Sequence, residues 1–441
     1  MARPTPLSGF PELLPRQRLV EQRVIAALAE SFELHGFSSI HTRAVEPMDQ
    51  LLRKGETSKE VYVLRRLQAE SDDTADSGLG LHFDLTVPFA RYVLENAGKL
   101  QFPFRRYQIQ PCWRGERPQE GRYREFWQAD IDIVDRDTLP THYEVEIPLV
   151  VGDALRSLPI PAMTMHVNNR KLSQGFYQGI GLTDPMAAIR AVDKLDKIGP
   201  SGVAALLAET AEATDDQVKA CLALAEISTT DTSFVDRVTE LGVSDPLLDE
   251  GLAELTAVVE AADRDAPGLV RADLRIARGL DYYTGTVYET FMAGYERLGS
   301  VCSGGRYDNL ASEGRNHFPG VGISIGVSRI LVPLLGEGRL DATRDVPTCV
   351  LVALPDEASR RDCDAVARTL RSRGIATEVA PAAQKYGKQI RFAERRGIPF
   401  VLFPQPGSGD AEIRDIRSGE QVVIDPASWD PPETDRRPTI V

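Results

Sequence analysis

From Phe104 to Asp135 the chain reads FRRYQIQPCWRGERPQEGRYREFWQADIDIVD, which mixes aromatic, amide and carboxylate groups at alternate positions beside a run of arginines. A strand turns alternate side chains to one face, so Phe126, Gln128, Asp130 and Asp132 share a side and Trp127, Ala129, Ile131 and Ile133 share the other. Two strands joined by a short charged loop with Pro118 and Gly121 then have an apolar backing and a polar working face. With Arg105, Arg106, Arg114, Arg117, Arg122 and Arg124 close by in sequence, that face suits an anionic ligand carrying a flat ring.

Three later segments carry groups of the same kind. In Arg278-Gly279-Leu280-Asp281-Tyr282-Tyr283-Thr284-Gly285, the arginine enters from a strand end, Gly279 permits close backbone approach and Thr284-Gly285 reads as a turn. Adjacent tyrosines on a strand face opposite ways, so one of Tyr282 and Tyr283 would meet a given ligand. CSGGRYD, from Cys302 to Asp308, reads as a glycine-containing turn, and a glycine pair alone is weak evidence for phosphate binding. GVGISIGVSRI, from Gly320, sets small residues before Arg329 at a strand-to-helix junction, where an arginine can reach phosphate.

The elements that must position these groups follow from the wider pattern. With 441 residues, 42% of them hydrophobic and 26% charged, the chain is long enough for two or three domains with proper cores. A net charge of -14 argues against a generally basic nucleic-acid coat and leaves only local basic patches for a polyanion. Five scattered cysteines without a C-x-x-C pair, and six histidines without H-E-x-x-H, point to a reducing cytoplasm and give no protein-ligated metal. No N-terminal apolar segment follows a basic start and no apolar run nears the ~20 residues that span a bilayer, so neither secretion nor membrane insertion is expected.

The spacing predicts a helix over Gln17 to Leu34, with Val20, Val24, Leu28 and Phe32 in one row and Gly36 as its C-cap, then a strand from Phe37 to Val45 ending at Pro47. From Met163 to Ala266 an Ala-, Leu-, Asp- and Glu-rich texture predicts a helical insert that splits the core. GEGRLDATRDVP reads as a linker, and alternating strand and helix signals beyond it predict a small α/β domain.

Taken in order, DLTVPFARY from Asp84, GERPQEGRYREFWQADIDIV from Gly115, NNRKL from Asn168, DKLDKIG from Asp193, RGLDYYTGTVYE from Arg278, SGGRYDNL from Ser303 and the glycine-rich segment with Arg329 resemble the histidyl-tRNA synthetase family of class II aminoacyl-tRNA synthetases. DLTVPFARY and REFWQADIDI look closer to the branch found in eukaryotes and archaea. The resemblance implies an α+β fold: an antiparallel-sheet catalytic core of six or seven strands, a helical insertion and a C-terminal α/β anticodon-binding domain. Its boundaries would be 1–162 and 269–335 for the core, 163–268 for the insertion, 336–346 for a linker and 347–441 for the last domain. It also implies a cytoplasmic homodimer formed through the N-terminal helix and strand, and the substrates L-histidine, ATP with Mg2+ as its counterion, and tRNA(His).

By the same resemblance, Arg114 and Arg278 hold the α-phosphate and the histidine carboxylate. Phe126 stacks on adenine with Arg329 on its other side, and Glu116 joins the ATP site. Asp84, Leu85, Thr86 and Gln128 line the ammonium end, Asp132 lies deeper, Tyr282 and Tyr283 belong to imidazole recognition, and Tyr307 closes the pocket. Lys385, Lys388, Arg391 and Arg395, at spacings of three and four, would form a basic helix face for tRNA. The chain departs from the family pattern at PLSGFPELLP, at His82-Phe83 before Asp84, and at Ser328, where an acidic residue is common. A synthetase-like regulatory subunit of ATP phosphoribosyltransferase shares much of this pattern, but the complete Arg278, Tyr282, Tyr283 and Arg329 segments argue against it.

Overall fold

A computed structural model describes residues 5–52, 60–66, 78–276, 282–405 and 410–441. The chain divides into two compact units, one built from residues up to Pro11 and Ile25–Pro333, the other from Glu12–Val24 and Leu334–Val441.

Helix α1 (Pro15–Leu34) forms where expected. Val20, Val24, Leu28 and Phe32 are all at most 2% exposed, so the row is a core stripe. Gly36 stops the helix: its φ of +77° suits a residue without a Cβ. Phe37 N–H then donates to Phe32 O at 3.1 Å and Gly36 N–H to Glu33 O at 2.9 Å, closing the last carbonyls. The single strand expected after it is instead two short ones, β1 (Ser38–Ser39) and β2 (Val45–Pro47), because they join different sheets.

The first unit continues through α2 (Met48–Leu51), β3 (Leu79–Leu81), α3 (Thr86–Asn96), β4 (Phe104–Trp113), β5 (Glu125–Val134), α4 (His142–Arg156) and β6 (Met163–Asn169). Then come α5 (Arg170–Gly179), α6 (Pro185–Val192), α7 (Leu195–Thr210), α8 (Asp215–Ala225), β7 (Ser228–Thr229), α9 (Phe234–Glu240), α10 (Pro246–Asp265) and β8 (Val270–Asp273). It closes with β9 (Tyr283–Met292), β10 (Cys302–Glu313), β11 (Asn316–Ile325) and α11 (Val327–Gly336), the last of which crosses into the second unit. The expected helical insertion therefore opens on a strand: β6 is a full member of the main sheet, pairing with β9 from Met163↔Met292 to Asn169↔Thr286. Its short alternating run, MTMHVNN, is easily hidden beside the helical sequence that follows.

The main sheet has the order β1-β4-β5-β11-β10-β9-β6-β8-β7. Only β1/β4 and β6/β8 are parallel; every other neighbouring pair in it is antiparallel. This nine-stranded sheet is wider than the six or seven strands expected, since short β1, β7 and β8 extend its edges. The β4/β5 hairpin pairs without interruption from Phe104↔Val134 to Trp113↔Glu125.

In the second unit, β12 (Val350–Val352), α12 (Arg360–Ser372), β13 (Thr377–Val379), α13 (Tyr386–Arg395), β14 (Phe400–Pro404), β15 (Ala411–Asp415), β16 (Gln421–Ile424) and α14 (Glu433–Arg436) follow one another. The sheet order is β13-β12-β14-β15-β16, with β12 parallel to both neighbours. Its core is the apolar run Cys349–Leu354 packed with Ala367, Leu370, Val401 and Leu402. The expected linker is pinned: Asp341 N–H donates to Val441 O at 2.9 Å, and Arg16 pairs with Asp341 and Asp345 at 2.6 and 3.2 Å.

Candidate active site

The polar face foreseen on β5 is real, but it is buried. Gln128, Asp130 and Asp132 are 5%, 1% and 3% exposed, because α3 and the neighbouring strands cover that side of the sheet. Opposite them across the hairpin stand Gln110, Gln108 and Arg106. Arg106 is 0% exposed, its Nη2 lies 2.5 Å from Asp132 Oδ2 and 3.9 Å from Asp130 Oδ2, and its guanidinium rests 4.2 Å from the Phe89 ring centre. Carboxylates this deep need such a partner, since an unpaired buried charge is costly. Gln108 Nε2 donates to Thr42 Oγ1 at 2.8 Å, and Gln110 Nε2 to Thr42 O at 3.0 Å, so amides fill the rest of the interior.

Two glycines on β11 make room for this chemistry. Gly322 faces Asp132 in register, and a Cβ there would stand 2.1 Å from Asp132 Oδ1. Gly320 faces Tyr307, where a Cβ would stand 2.6 Å from the ring. Over this glycine floor Tyr307 Oη donates to Asp132 Oδ1 at 2.7 Å. Burial, and then the Asp132 charge, pushes the Tyr307 phenol well above its ordinary range, so it remains a donor. Asp132 is thereby held at one oxygen by a phenol and at the other by a guanidinium.

Asp84, Leu85 and Thr86 sit at the start of α3, where Asp84 Oδ1 accepts from Val87 N–H at 3.1 Å, as carboxylates at helix N-termini do. Asp84, Leu85 and Thr86 are 3%, 0% and 9% exposed. The two tyrosines do not point apart. Tyr282 precedes the first residue of β9, and its ring packs 4.3 Å from that of Tyr283 and 6.5 Å from that of Tyr307. The slip in β9/β10 pairing between Gly305 and Tyr307 lies at the same place. Burial raises the Tyr282 phenol; a bond with Tyr283 pulls it back, and the charges of Asp84, Asp132 and Asp130 push it up again. With Arg106 beside Asp130 and Asp132, this acidic lining can accept a cationic group.

Along the hairpin, Arg114 Nε donates to Phe83 O at 3.0 Å and its guanidinium lies 5.0 Å from the Phe126 ring centre. Glu116 lies 3.4 Å from Arg122 Nη1. Arg329 Nε donates to Leu298 O at 3.1 Å, and its Cγ is 3.4 Å from where a Gly121 Cβ would be, so the hairpin loop and the start of α11 converge. Arg278, with Gly279 and Asp281, lies outside the described residues. Not every nearby arginine belongs to this site: Arg105 pairs with Glu146, and Arg124 Nε donates to Glu116 O at 3.3 Å.

Several residues emerge only here. Arg306, beside Tyr307 in the signature segment, is structural: it donates to Glu144 Oε1 at 2.9 Å and to Asp308 Oδ1 at 3.0 Å. Glu144 in turn accepts from Thr286 N–H at 2.9 Å, tying α4 to β9 and β10. Ser328 is 2% exposed and its Oγ accepts from Trp127 N–H at 2.8 Å, fastening β5 to α11. The His82 ring contacts Pro111 O at 2.8 Å, and Phe83 packs with Leu51 and Val87, so that departure supplies packing beneath Asp84. Arginine beside a glycine pair, and serine before Arg329, gave no sequence signal separating ligand contact from scaffold. Among the described residues no cluster of three His, Cys, Asp or Glu side chains has metal-site geometry.

In the second unit, Lys385 immediately precedes α13 while Lys388, Arg391 and Arg395 lie along it, all exposed. Ala380, Gln384, Lys388, Arg391 and Arg395 contribute to a cleft of about 460 Å³. Gln389 underpins it, donating to Leu354 O at 2.8 Å and accepting from Leu354 N–H at 2.9 Å.

A family model described as histidyl-tRNA synthetase matches residues 9–330, and one described as anticodon binding domain matches residues 348–428. The chain belongs to the histidyl-tRNA synthetase family. The histidine–tRNA ligase of Cutibacterium acnes is 58% identical, covering 100% of this chain and 99% of that protein. The one from Thermobifida fusca is 54% identical over 97% and 98%. A solved histidyl-tRNA synthetase from a Nostoc species superposes with a TM-score of 0.85 at 31% identity, covering 96% of this chain and 97% of that one. These relatives are bacterial, so the expected closeness to the branch of eukaryotes and archaea is not supported. Short segments packed around one pocket answer to that pocket's chemistry and do not mark lineage. In this chain an α+β fold dominated by one antiparallel sheet precedes an anticodon-binding domain.

Proposed function

We infer that the chain is a histidine–tRNA ligase that joins L-histidine to tRNA(His) at the expense of ATP. The observation that carries this reading is the full-length similarity to histidine–tRNA ligases at 54–58% identity, spanning both the catalytic and the anticodon-binding segments. The pocket chemistry supports it: the Asp132 carboxylate, held in place by Tyr307 and Arg106, is a fixed acceptor for an imidazole N–H, with Tyr282 and Tyr283 alongside.

In the first step a histidine carboxylate oxygen attacks the α-phosphorus of ATP and pyrophosphate leaves, giving histidyl-adenylate. Charge builds on the phosphoryl oxygens, and Arg114 and Arg278 are the cations assigned to meet it. Asp84, Thr86 and the Gln128 amide oxygen accept from the α-ammonium, with Leu85 packing behind them. Phe126 and Arg329 sandwich the adenine, Glu116 flanks the ATP, and Mg2+ travels with the nucleotide as its counterion. In the second step a terminal ribose hydroxyl of the tRNA attacks the activated carbonyl carbon, loses its proton and expels AMP. Lys385, Lys388, Arg391 and Arg395 contact tRNA phosphates, which position it without reading sequence. The working particle is a cytoplasmic homodimer whose N-terminal helix and strand meet their copies. No helix among the described residues is long and apolar enough to cross a membrane. The domain division is 1–162 with 269–335, 163–268, 336–346 and 347–441, with β6 at the head of 163–268 joining the sheet of the core. Charging assays with purified histidine tRNA test the reading: labelled histidine must become acid-precipitable with this tRNA, and failure with active substrates would overturn it.

A further inference from the structure

Asp130 has no part in the reaction as assigned above, yet it is among the most deeply buried charges near the pocket, at 1% exposure. Gln128 Nε2 donates to Asp130 Oδ1 at 2.9 Å. An amide has one donor end and one acceptor end, so committing Nε2 to Asp130 turns Oε1 away from it. The Arg106 guanidinium faces Asp130 Oδ2 from 3.9 Å and opposes a proton there, which keeps Oδ1 an acceptor for Gln128. Burial pushes the Asp130 carboxyl up, while Arg106, Gln128 and Ser324 pull it back toward the ionised form. Asp84 lies close enough to push on the same group, so the amide stands in the acidic end of the pocket.

We propose that Asp130 is a positioning residue for substrate selection: it fixes the Gln128 amide with its oxygen toward the pocket, so that the site accepts from an α-ammonium. This rests on the histidine-binding reading above. An amide free to rotate would present its NH2 to the ammonium in part of the population, and two donors repel. Asp130→Asn allows that rotation, because the new side chain can donate to Oε1 as well as accept from Nε2.

The test is calorimetric titration of the full chain with histidine and with imidazolepropionate, which is histidine without its α-ammonium. For folded Asp130→Asn, histidine affinity should fall by about tenfold, the order expected for losing one hydrogen bond to a charged group, while imidazolepropionate affinity stays within about twofold. In a Gln128→Met background the same substitution should no longer change the ratio of the two affinities. Equal loss for both ligands would assign Asp130 a merely structural role and overturn the proposal, as would no loss for either. Should Asp130→Asn not be recovered folded, the smaller Asp130→Ala removes the acceptor and must give the same split. Absence of histidine binding by the unaltered chain would instead refute the ligase reading.

Discussion

Replacing Gly322 by alanine strikes the pocket at its tightest point. The new Cβ would meet Asp132 Oδ1 at 2.1 Å, its Cγ at 2.4 Å and the backbone oxygen of Ile131 at 2.7 Å. Ordinary contact lies near 3.5 Å, so the carboxylate must retreat by roughly 1 Å. It cannot do so and keep the Tyr307 hydroxyl at 2.7 Å and Arg106 at 2.5 Å. A misplacement of this size costs on the order of 100-fold in a positioned site, and overpacking removes about 1–3 kcal/mol of stability. Histidine-dependent ATP–pyrophosphate exchange on the folded variant should therefore show a histidine KM raised by at least about tenfold, with the KM for ATP within about twofold of its starting value. Gly387→Ala is the control: a Cβ there has nothing within 4 Å. It should leave both constants unchanged and gain about 0.5–1 kcal/mol of stability. A folded Gly322→Ala enzyme with normal histidine KM would refute the glycine-floor argument.

Other expectations follow from single contacts. Ser328→Ala leaves the Trp127 N–H without its acceptor and should cost about 1–3 kcal/mol in denaturant unfolding, largely restored by Ser328→Thr. Arg306→Met strands Glu144, whose side chain is 2% exposed, and should cost about 3–5 kcal/mol, read as a lowered unfolding midpoint. Reversing Lys388 and Arg391 to Glu should raise the KM for tRNA and flatten its salt dependence by about 0.7 in log–log slope per lost phosphate contact, leaving amino-acid activation unchanged. Arg278→Ala should abolish adenylate formation in a chain with an unaltered circular dichroism spectrum; near-normal exchange would reject its role.

Much of this architecture was legible because local rules and tertiary packing agree. The Val20, Val24, Leu28 and Phe32 row and the Gly36 stop are period and chirality arguments that no neighbour overrides. The hairpin from Phe104 to Val134 was readable for the same reason, since its alternation matches the sheet face by face. What alternation could not reveal is that both faces are covered: Asp130 and Asp132 look like surface residues until register brings Gln108 and Arg106 opposite them. Nor could it separate Tyr307 from Arg306, adjacent residues of which one lies over the pocket and the other braces α4 against the strands. β6 was read into the helical insertion because parallel pairing with β8 joins segments far apart in sequence. The tyrosine pair failed for a related reason, as strand alternation does not extend to Tyr282, one residue before β9 begins.

The most direct measurement is ATP–pyrophosphate exchange by the purified chain, run separately with each of the twenty amino acids. The account predicts exchange with histidine alone, because only its side chain offers an imidazole to Asp132 and the neighbouring tyrosines while its ammonium meets the acidic end of the pocket. Exchange driven by another amino acid, or histidine binding with no exchange at all, would contradict it.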